Sequence, residues 1–252
     1  MESRRPSLLA QALEPLASSL WILFILWTAI VAAVWMLGFG EAELSAHIAN
    51  AGLKSALSFL LASLDAVWVT LAAANVYLAL AEAEGLSAAR RWAAIVIVGG
   101  WLAAALSTRT GFPLGPLRYS ARLGMRIGPV PFSVPLLWLV LVSGGRALAL
   151  RLAPRMRHTR VAFAAGVLAA LTEANLEPLA WRARAFWIWQ SPGHPSIRNH
   201  AAWLVVSFAF AFLLRETHAA SASSRGLPRP VLVLIIFNAV FLLTHAARFI
   251  QR

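Results

Sequence analysis

The chain has 252 residues, of which 60% are hydrophobic and 13% are charged, and its mean hydropathy is +0.72. This composition excludes an ordinary soluble domain and predicts an integral membrane protein. The formal net charge is +12, but the arginines lie between apolar stretches, which favours contact with membrane lipid and argues against nucleic acid as a partner. The chain has no cysteine, so disulfides, thiolate catalysis and cysteine metal sites are excluded.

Seven apolar segments follow one another and predict an all-α bundle of about seven transmembrane helices. The first segment is interpreted as a retained span, because it is long and uncharged and lacks a small-residue cleavage pattern. No internal repeat or linker divides the chain, so residues 1–252 are predicted to form a single integral membrane domain. The predicted spans cover residues 16–37, 57–81, 92–108, 130–150, 161–181, 200–214 and 231–247.

Two connections between these spans have an unusual composition. Residues 109–129 are rich in Gly, Pro and Arg, and residues 182–199 are rich in aromatic residues and Arg. With seven spans, both connections fall on the same side of the membrane. We expect them to form a mouth or lid over a cavity in the bundle.

The fifth predicted span contains two acidic residues, Glu173 and Glu177, and Pro178 follows directly. Four residues make about one helical turn, so both carboxyl groups point the same way. Acidic side chains in hydrocarbon are costly and usually face a bundle interior, where they mark a functional site. Buried side by side, the two groups resist ionisation and share a proton, which makes them candidate general acids.

Each acidic candidate also has a structural interpretation. The two glutamates could instead pair with Arg146, Arg182 or Arg184 as structural bridges. Asp65 is the only other acid deep in a span and is a further candidate catalytic residue. It could equally bond Asn75 or a backbone group of a neighbouring helix.

An aromatic cluster at Phe186, Trp187 and Trp189 is either an interfacial belt or a set of π-faces around a carbocation or polyene. The chain lacks the paired Asp-rich motifs of intramembrane prenyltransferases, and its histidines show no metal-ligand spacing with acids. It also lacks a Gly-rich phosphate loop. We therefore predict no metal and no cofactor. The class of function that is left is acid chemistry on an apolar substrate.

An ordered series of motifs lies between about residues 107 and 205. The series consists of TGFPLGPLRY at 110–119, Leu123-Gly124, Val134-Pro135, Trp138, the acids Glu173 and Glu177 before Pro178, the W-x-W of Trp187 and Trp189, Asn199 and Trp203. In order and spacing it resembles the membrane carotenoid-biosynthesis family typified by the carotenoid 1′,2′-hydratases and the bisanhydrobacterioruberin hydratases. The loop of that family has the form T-G-x-P-F-G-x-Y-x-Y-x-x-x-L-G.

The chain departs from the family pattern and is identified as a divergent member. Leu114 replaces the loop Phe, Leu117 replaces a Tyr, and both Asp positions of the acid pair are Glu here. An acid that usually lies seven residues before the loop Gly falls at Ala104, and the Gly-Val-Pro before the Asn is missing.

The resemblance implies that the protein hydrates a terminal 1,2 double bond of an acyclic carotenoid in a bacterial or archaeal cell membrane. Glu173 or Glu177 would be the acid, with Asp65 as a partner. The implied partners are membrane lipid, the carotenoid and other carotenoid enzymes. The residues implied to bind the substrate, line the cation, hold water or order the loops are Arg118, Tyr119, Trp138, Trp187, Trp189, Asn199 and Trp203.

Two other functions stay open. A non-catalytic carotenoid or isoprenoid binder is favoured by the missing acid at Ala104. A small-molecule or proton-coupled transporter would need a continuous polar path, and the chain lacks the inverted repeat and paired broken helices that such proteins often show.

Overall fold

A computed structural model describes residues 8–38, 48, 50–190, 193–214 and 227–251; the remaining parts of the predicted domain and of the second connection lie outside the described residues. The described residues form seven α-helices, which confirms the all-α class. The helices are α1 Leu8–Leu37, α2 Ala51–Glu84, α3 Leu86–Thr110, α4 Ser133–Leu152, α5 His158–Pro178, α6 Ile197–Leu213 and α7 Arg229–Ile250.

Five of these helices, namely α1, α2, α3, α4 and α7, are long and apolar enough to cross a membrane. Helix α6 is a shorter apolar helix of 17 residues. Helix α5 has 21 residues and carries Glu173 and Glu177, both of which are buried. The five long helices indicate a multi-pass membrane protein, and membrane crossing by α5 and α6 stays a prediction.

Helix α4 is the centre of the bundle. It packs against α2, α3, α5, α6 and α7, and most of its side chains are buried. Helix α1 packs against α2 and α7. An apolar helix that is buried on every side fixes the neighbours around it, so α4 sets the positions of α2 and α5, which carry the three candidate acids.

The fourth predicted span begins too early. Residues 130–132 precede α4, because β2 (Arg126–Ile127) and β3 (Val130–Pro131) pair as a short antiparallel hairpin. The Ser133 hydroxyl donates to the Leu123 carbonyl at 2.7 Å and holds the start of α4. A proline in the first turn of a helix is tolerated, because the backbone N–H groups there have no partner within the helix.

The fifth predicted span also ends differently. Helix α5 ends at Pro178, and the chain continues through a wider π-helical turn, Leu179–Ala183. Proline has no N–H to donate to the preceding turn, which ends the regular α-helical pattern. The Arg184 N–H then donates to the Leu179 carbonyl at 2.8 Å. This turn leads the chain back across the end of the bundle.

The two unusual connections meet in an antiparallel ribbon. Strand β1 (Leu117–Tyr119) pairs with β4 (Trp187–Trp189), with Leu117 opposite Trp189 and Tyr119 opposite Trp187. Both connections therefore lie at the same end of the bundle, as the sequence predicted. Because side chains alternate along a strand, one face of the ribbon is turned towards the acids of α5.

Helices α5 and α6 approach each other closely at Gly166. A Cβ atom at this position would lie 2.8 Å from the Leu204 carbonyl oxygen and 3.1 Å from the Phe208 nitrogen. Both neighbours are backbone atoms, which cannot yield as a flexible side chain can. The absence of a side chain at Gly166 thus sets the spacing between the acids of α5 and the first turn of α6.

Gly166→Val should destabilise the protein, because overpacking costs about 1–3 kcal/mol and here pushes two helices apart. Thermal unfolding of the purified protein in detergent would measure the change. Ala174→Val is the matched control, because Ala174 is exposed on the same helix. Equal unfolding temperatures for the two variants would contradict the close packing of α5 on α6.

Candidate active site

Glu177 lies at the end of α5 and is only 2% exposed. Its Oε1 accepts hydrogen bonds from the indole N–H groups of Trp187, at 3.0 Å, and Trp189, at 2.8 Å. Residues two apart on a strand point to the same face, so both indoles reach the carboxyl group while Ile188 between them is 61% exposed. The turn after Pro178 brings β4 back over the end of α5 and makes these contacts possible.

Glu173 lies one turn earlier and is completely buried. The Asn199 Nδ2 donates to its Oε1 at 2.6 Å, and the His200 Nδ1 lies 2.7 Å from its Oε2. The same Asn199 nitrogen lies 3.5 Å from the Glu177 Oε2. The first turn of α6 therefore ties the two carboxyl groups together.

Asp65 is buried in α2 and forms a separate polar cluster. Its Oδ1 accepts the indole N–H of Trp35 at 2.8 Å, and its Oδ2 pairs with the Arg184 Nη2 at 2.7 Å. Asn75 instead donates to the carbonyls of Leu20 and Leu71. The sequence left open whether Asp65 bonds Asn75. In the structure Asp65 instead forms an ion pair with Arg184.

The arginines proposed as structural partners of the glutamates lie in different surroundings. Arg184 contacts Asp65, as described, and Arg182 is exposed with its guanidinium 4.6 Å from the centre of the Trp181 ring. Arg146 is buried in α4. The described polar partners of Glu173 and Glu177 are Asn199, His200 and the two tryptophans, of which His200 alone can carry a positive charge.

A narrow, largely apolar cavity of about 40 Å³ adjoins both clusters. Asp65 and Trp35 lie along its wall, and so do Trp187, Trp189 and Asn199, which donate hydrogen bonds to Glu177; the two glutamates themselves do not line it. The remaining wall is mostly aromatic and aliphatic. Its other aromatic members are Trp68, Tyr119, Phe186, Trp203, Phe237 and Phe241.

The structure brings together most of the residues predicted from the sequence. Tyr119 and Trp203 line the cavity, and Trp138 stacks on Trp203 with ring centres 3.7 Å apart. Arg118 is the exception, because it is exposed on the opposite face of β1 from Leu117 and Tyr119. It therefore does not belong to the group around the cavity.

Three residues of the site were not predicted from the sequence. Trp35 and Arg184 contact Asp65, and His200 contacts Glu173. His200 directly follows Asn199, so a helix that begins at Ile197 places both in one turn, and this signal could have been used. Arg184 and Trp35 are far from Asp65 in the chain, and no local spacing connects them.

Gly115 allows β4 to lie close to the loop before β1. Its φ is +116°, a backbone angle that residues with a side chain rarely adopt. An added Cβ would also lie 2.8 Å from a ring atom of Trp189. Glycine meets both requirements at once. This position therefore holds the Trp189 indole where it reaches Glu177.

The family of carotenoid biosynthesis proteins matches this chain over residues 64–251. The chain belongs to this family. The match begins in α2, one residue before Asp65, and includes every residue of the two clusters except Trp35. A search of the curated proteins gave no match, and a search of the solved structures gave none.

Tyr119 offers a spectroscopic test of the closed ribbon in this carotenoid-biosynthesis protein. Burial raises the pKa of its phenol far above the ordinary value of tyrosine, and the nearby Glu177 adds to the effect. The chain has one other tyrosine, Tyr77. In a Tyr77→Phe variant, the phenolate absorbance should not appear at about pH 10, where exposed tyrosine ionises. Ionisation of Tyr119 at the ordinary pH would show that the ribbon does not bury it.

Proposed function

We propose that this protein hydrates the terminal 1,2 double bond of an acyclic carotenoid by acid catalysis. The observation that carries the proposal is the buried carboxyl group of Glu177, which accepts hydrogen bonds from the indole N–H groups of two tryptophans that line an aromatic cavity. Membership of the carotenoid-biosynthesis family supports the substrate class. The reaction needs an acid, a shielded cation and one water molecule.

Glu177 is the proton donor in this proposal. Two buried carboxyl groups one turn apart repel each other when both are ionised, so the pair with Glu173 retains a proton. Trp187 and Trp189 bond one oxygen of Glu177, and the other oxygen lies 3.5 Å from the Asn199 nitrogen. The carboxylic proton can therefore sit on the second oxygen.

The first step is proton transfer to C-2′ of the carotenoid. The π electrons of the double bond form the new C–H bond, and the O–H bond of Glu177 breaks. The product is a tertiary carbocation at C-1′ and a Glu177 carboxylate. Aromatic faces attract cations, and the cavity wall presents those of Trp35, Trp187 and Trp189.

The second step is the addition of water to C-1′, for which Asp65 is the proton acceptor. The water oxygen forms the C–O bond, and the resulting oxonium ion loses a proton to the carboxylate. A protonated alcohol is a strong acid, so even a carboxylate stabilised by Arg184 is basic enough to accept its proton. Each oxygen of Asp65 accepts one described hydrogen bond, which leaves acceptor capacity for water.

Glu177→Gln should abolish the hydrated product. The amide oxygen can still accept the two indole bonds, but the amide cannot donate the proton, so the rate should fall by at least about 100-fold. The assay is pigment analysis of a lycopene-producing host, in which the product is heavier by one water. Glu14→Gln is the control, because Glu14 is exposed on α1. A fully active Gln variant would give Glu177 a structural role.

The wild-type chain decides between catalysis and binding. If it yields no hydrated carotenoid from any acyclic precursor tested, yet co-purifies with one, the non-catalytic binder becomes the better description. The buried Ala104 in α3, where the family usually has an acid, is the observation that favours this second function.

The double variant Asp65→Asn with Arg184→Gln tests whether Asp65 accepts the proton of the added water. Changing one member alone would leave a buried charge without its partner, which costs about 3–5 kcal/mol. Changing both removes the charges together and keeps an acceptor for Trp35. The yield of hydrated product should fall about tenfold or more, since a general base is lost. An unchanged yield, at an unchanged amount of protein in the membrane, would show that Asp65 is not the general base.

A further inference from the structure

His200 connects the acid pair to the surface. His200 lies in the first turn of α6, its Nδ1 is 2.7 Å from the Glu173 Oε2, and 31% of its side chain is exposed, whereas that of Glu173 is completely buried. The neighbouring Arg198 and His194 are exposed as well, which indicates that this end of α6 faces the aqueous boundary. The imidazole is thus in contact with both the buried carboxyl group and the outside.

The proposed chemistry creates a need for such a connection. Glu177 gives its proton to carbon, whereas the water proton leaves at Asp65 in a different cluster. Glu177 must therefore be reprotonated from elsewhere before the next turnover. Trp187 and Trp189 donate hydrogen bonds to it through indole N–H groups, which do not release protons in water.

We propose that His200 delivers this proton from the aqueous boundary to Glu177 through Glu173. The inference rests on the proposed function, because it assumes that Glu177 is the acid consumed in each turnover. His200 acts through the glutamates, since its Nδ1 lies 2.7 Å from the Glu173 Oε2.

The relay conserves protons and electron pairs at each step. The Nε2 of His200 takes a proton from water, and the Nδ1–H bond breaks as its proton moves to the Glu173 Oε2. Glu173 then passes a proton to the Glu177 carboxylate. Asn199 holds both carboxyl groups from one side, through a nitrogen 2.6 Å from Glu173 and 3.5 Å from Glu177. The hydroxide left by the water is neutralised by the proton released at Asp65.

The charged groups around His200 favour proton uptake. Helix α5 presents Glu173 to it, with a carboxyl oxygen 2.7 Å from the His200 Nδ1. Arg198 lies on the same turn, but its guanidinium donates to the Gly111 carbonyl at 2.8 Å and lies 5.5 Å from the centre of the Phe112 ring. The arginine is therefore turned towards the first connection, and the described direct ionisable partner of His200 is Glu173.

The decisive variant is His200→Gln, studied as the full chain in lipid vesicles. A glutamine amide can still donate a hydrogen bond to Glu173, so a purely structural role would be preserved, but it cannot pass on a proton. After a rapid drop in pH, time-resolved infrared spectroscopy of the carboxylic-acid band would measure proton uptake by the glutamate pair. We expect uptake to be slower by roughly tenfold or more, and formation of hydrated lycopene to fall in parallel. His194→Gln is the control, because His194 is exposed and contacts only the adjacent Pro195 carbonyl among its described polar partners.

Rescue by imidazole provides a second, independent test. His200→Ala removes a partly exposed ring, so added imidazole can occupy its place and should restore both proton uptake and product formation. Unchanged uptake in the Gln variant, or a loss in the Ala variant that imidazole does not restore, would overturn the inference. If one variant fails to insert, the other decides the question.

The two proposals fail in different ways. A wild-type protein that takes up protons rapidly through His200 but never hydrates lycopene or another acyclic carotenoid would remove the hydratase proposal and leave only a proton path from His200 to the glutamates. If the His200→Gln variant takes up protons as fast as the wild type and hydration still depends on Glu177, the relay is wrong and the hydratase proposal stands.

Discussion

The need of one buried carboxyl group for hydrogen-bond donors organises this end of the bundle. Glu177 is almost completely buried, and a carboxyl group without partners in that position would cost several kcal/mol. Its two donors come from β4, which reaches it because α5 ends at Pro178 and the chain turns back. Strand β4 in turn holds β1, so the ribbon, the cavity wall and the position of Gly115 all follow from this contact.

The cavity joins two polar clusters of different character. The cluster on α5 contains two acids, which are bonded by the neutral donors Asn199, Trp187 and Trp189 and by one histidine. The cluster on α2 is an ion pair, in which Arg184 stabilises a negatively charged Asp65. In the proposed hydration the α5 cluster supplies a proton and Asp65 accepts one, so the two roles belong to different clusters.

Local patterns were sufficient to predict much of this structure. Apolar segments gave the helices, and the four-residue spacing gave the shared face of Glu173 and Glu177, because both signals lie within one element. The ion pair between Asp65 and Arg184 joins residues 119 positions apart, and no spacing rule predicts such a contact. Arg118 was expected to serve the site, but a connection rich in Gly and Pro gave no sign of the strand whose alternation turns this side chain outwards.

The polar character of α5 has a consequence for the way the protein is assembled. This helix is not among the five that are long and apolar enough to cross a membrane, and its acids find their donors in residues that follow it in the chain. During synthesis α5 therefore emerges before Trp187, Trp189 and Asn199 exist to receive it. Because the first turn of α6 supplies Asn199 and His200, we expect α5 and α6 to take up their positions in the bundle together.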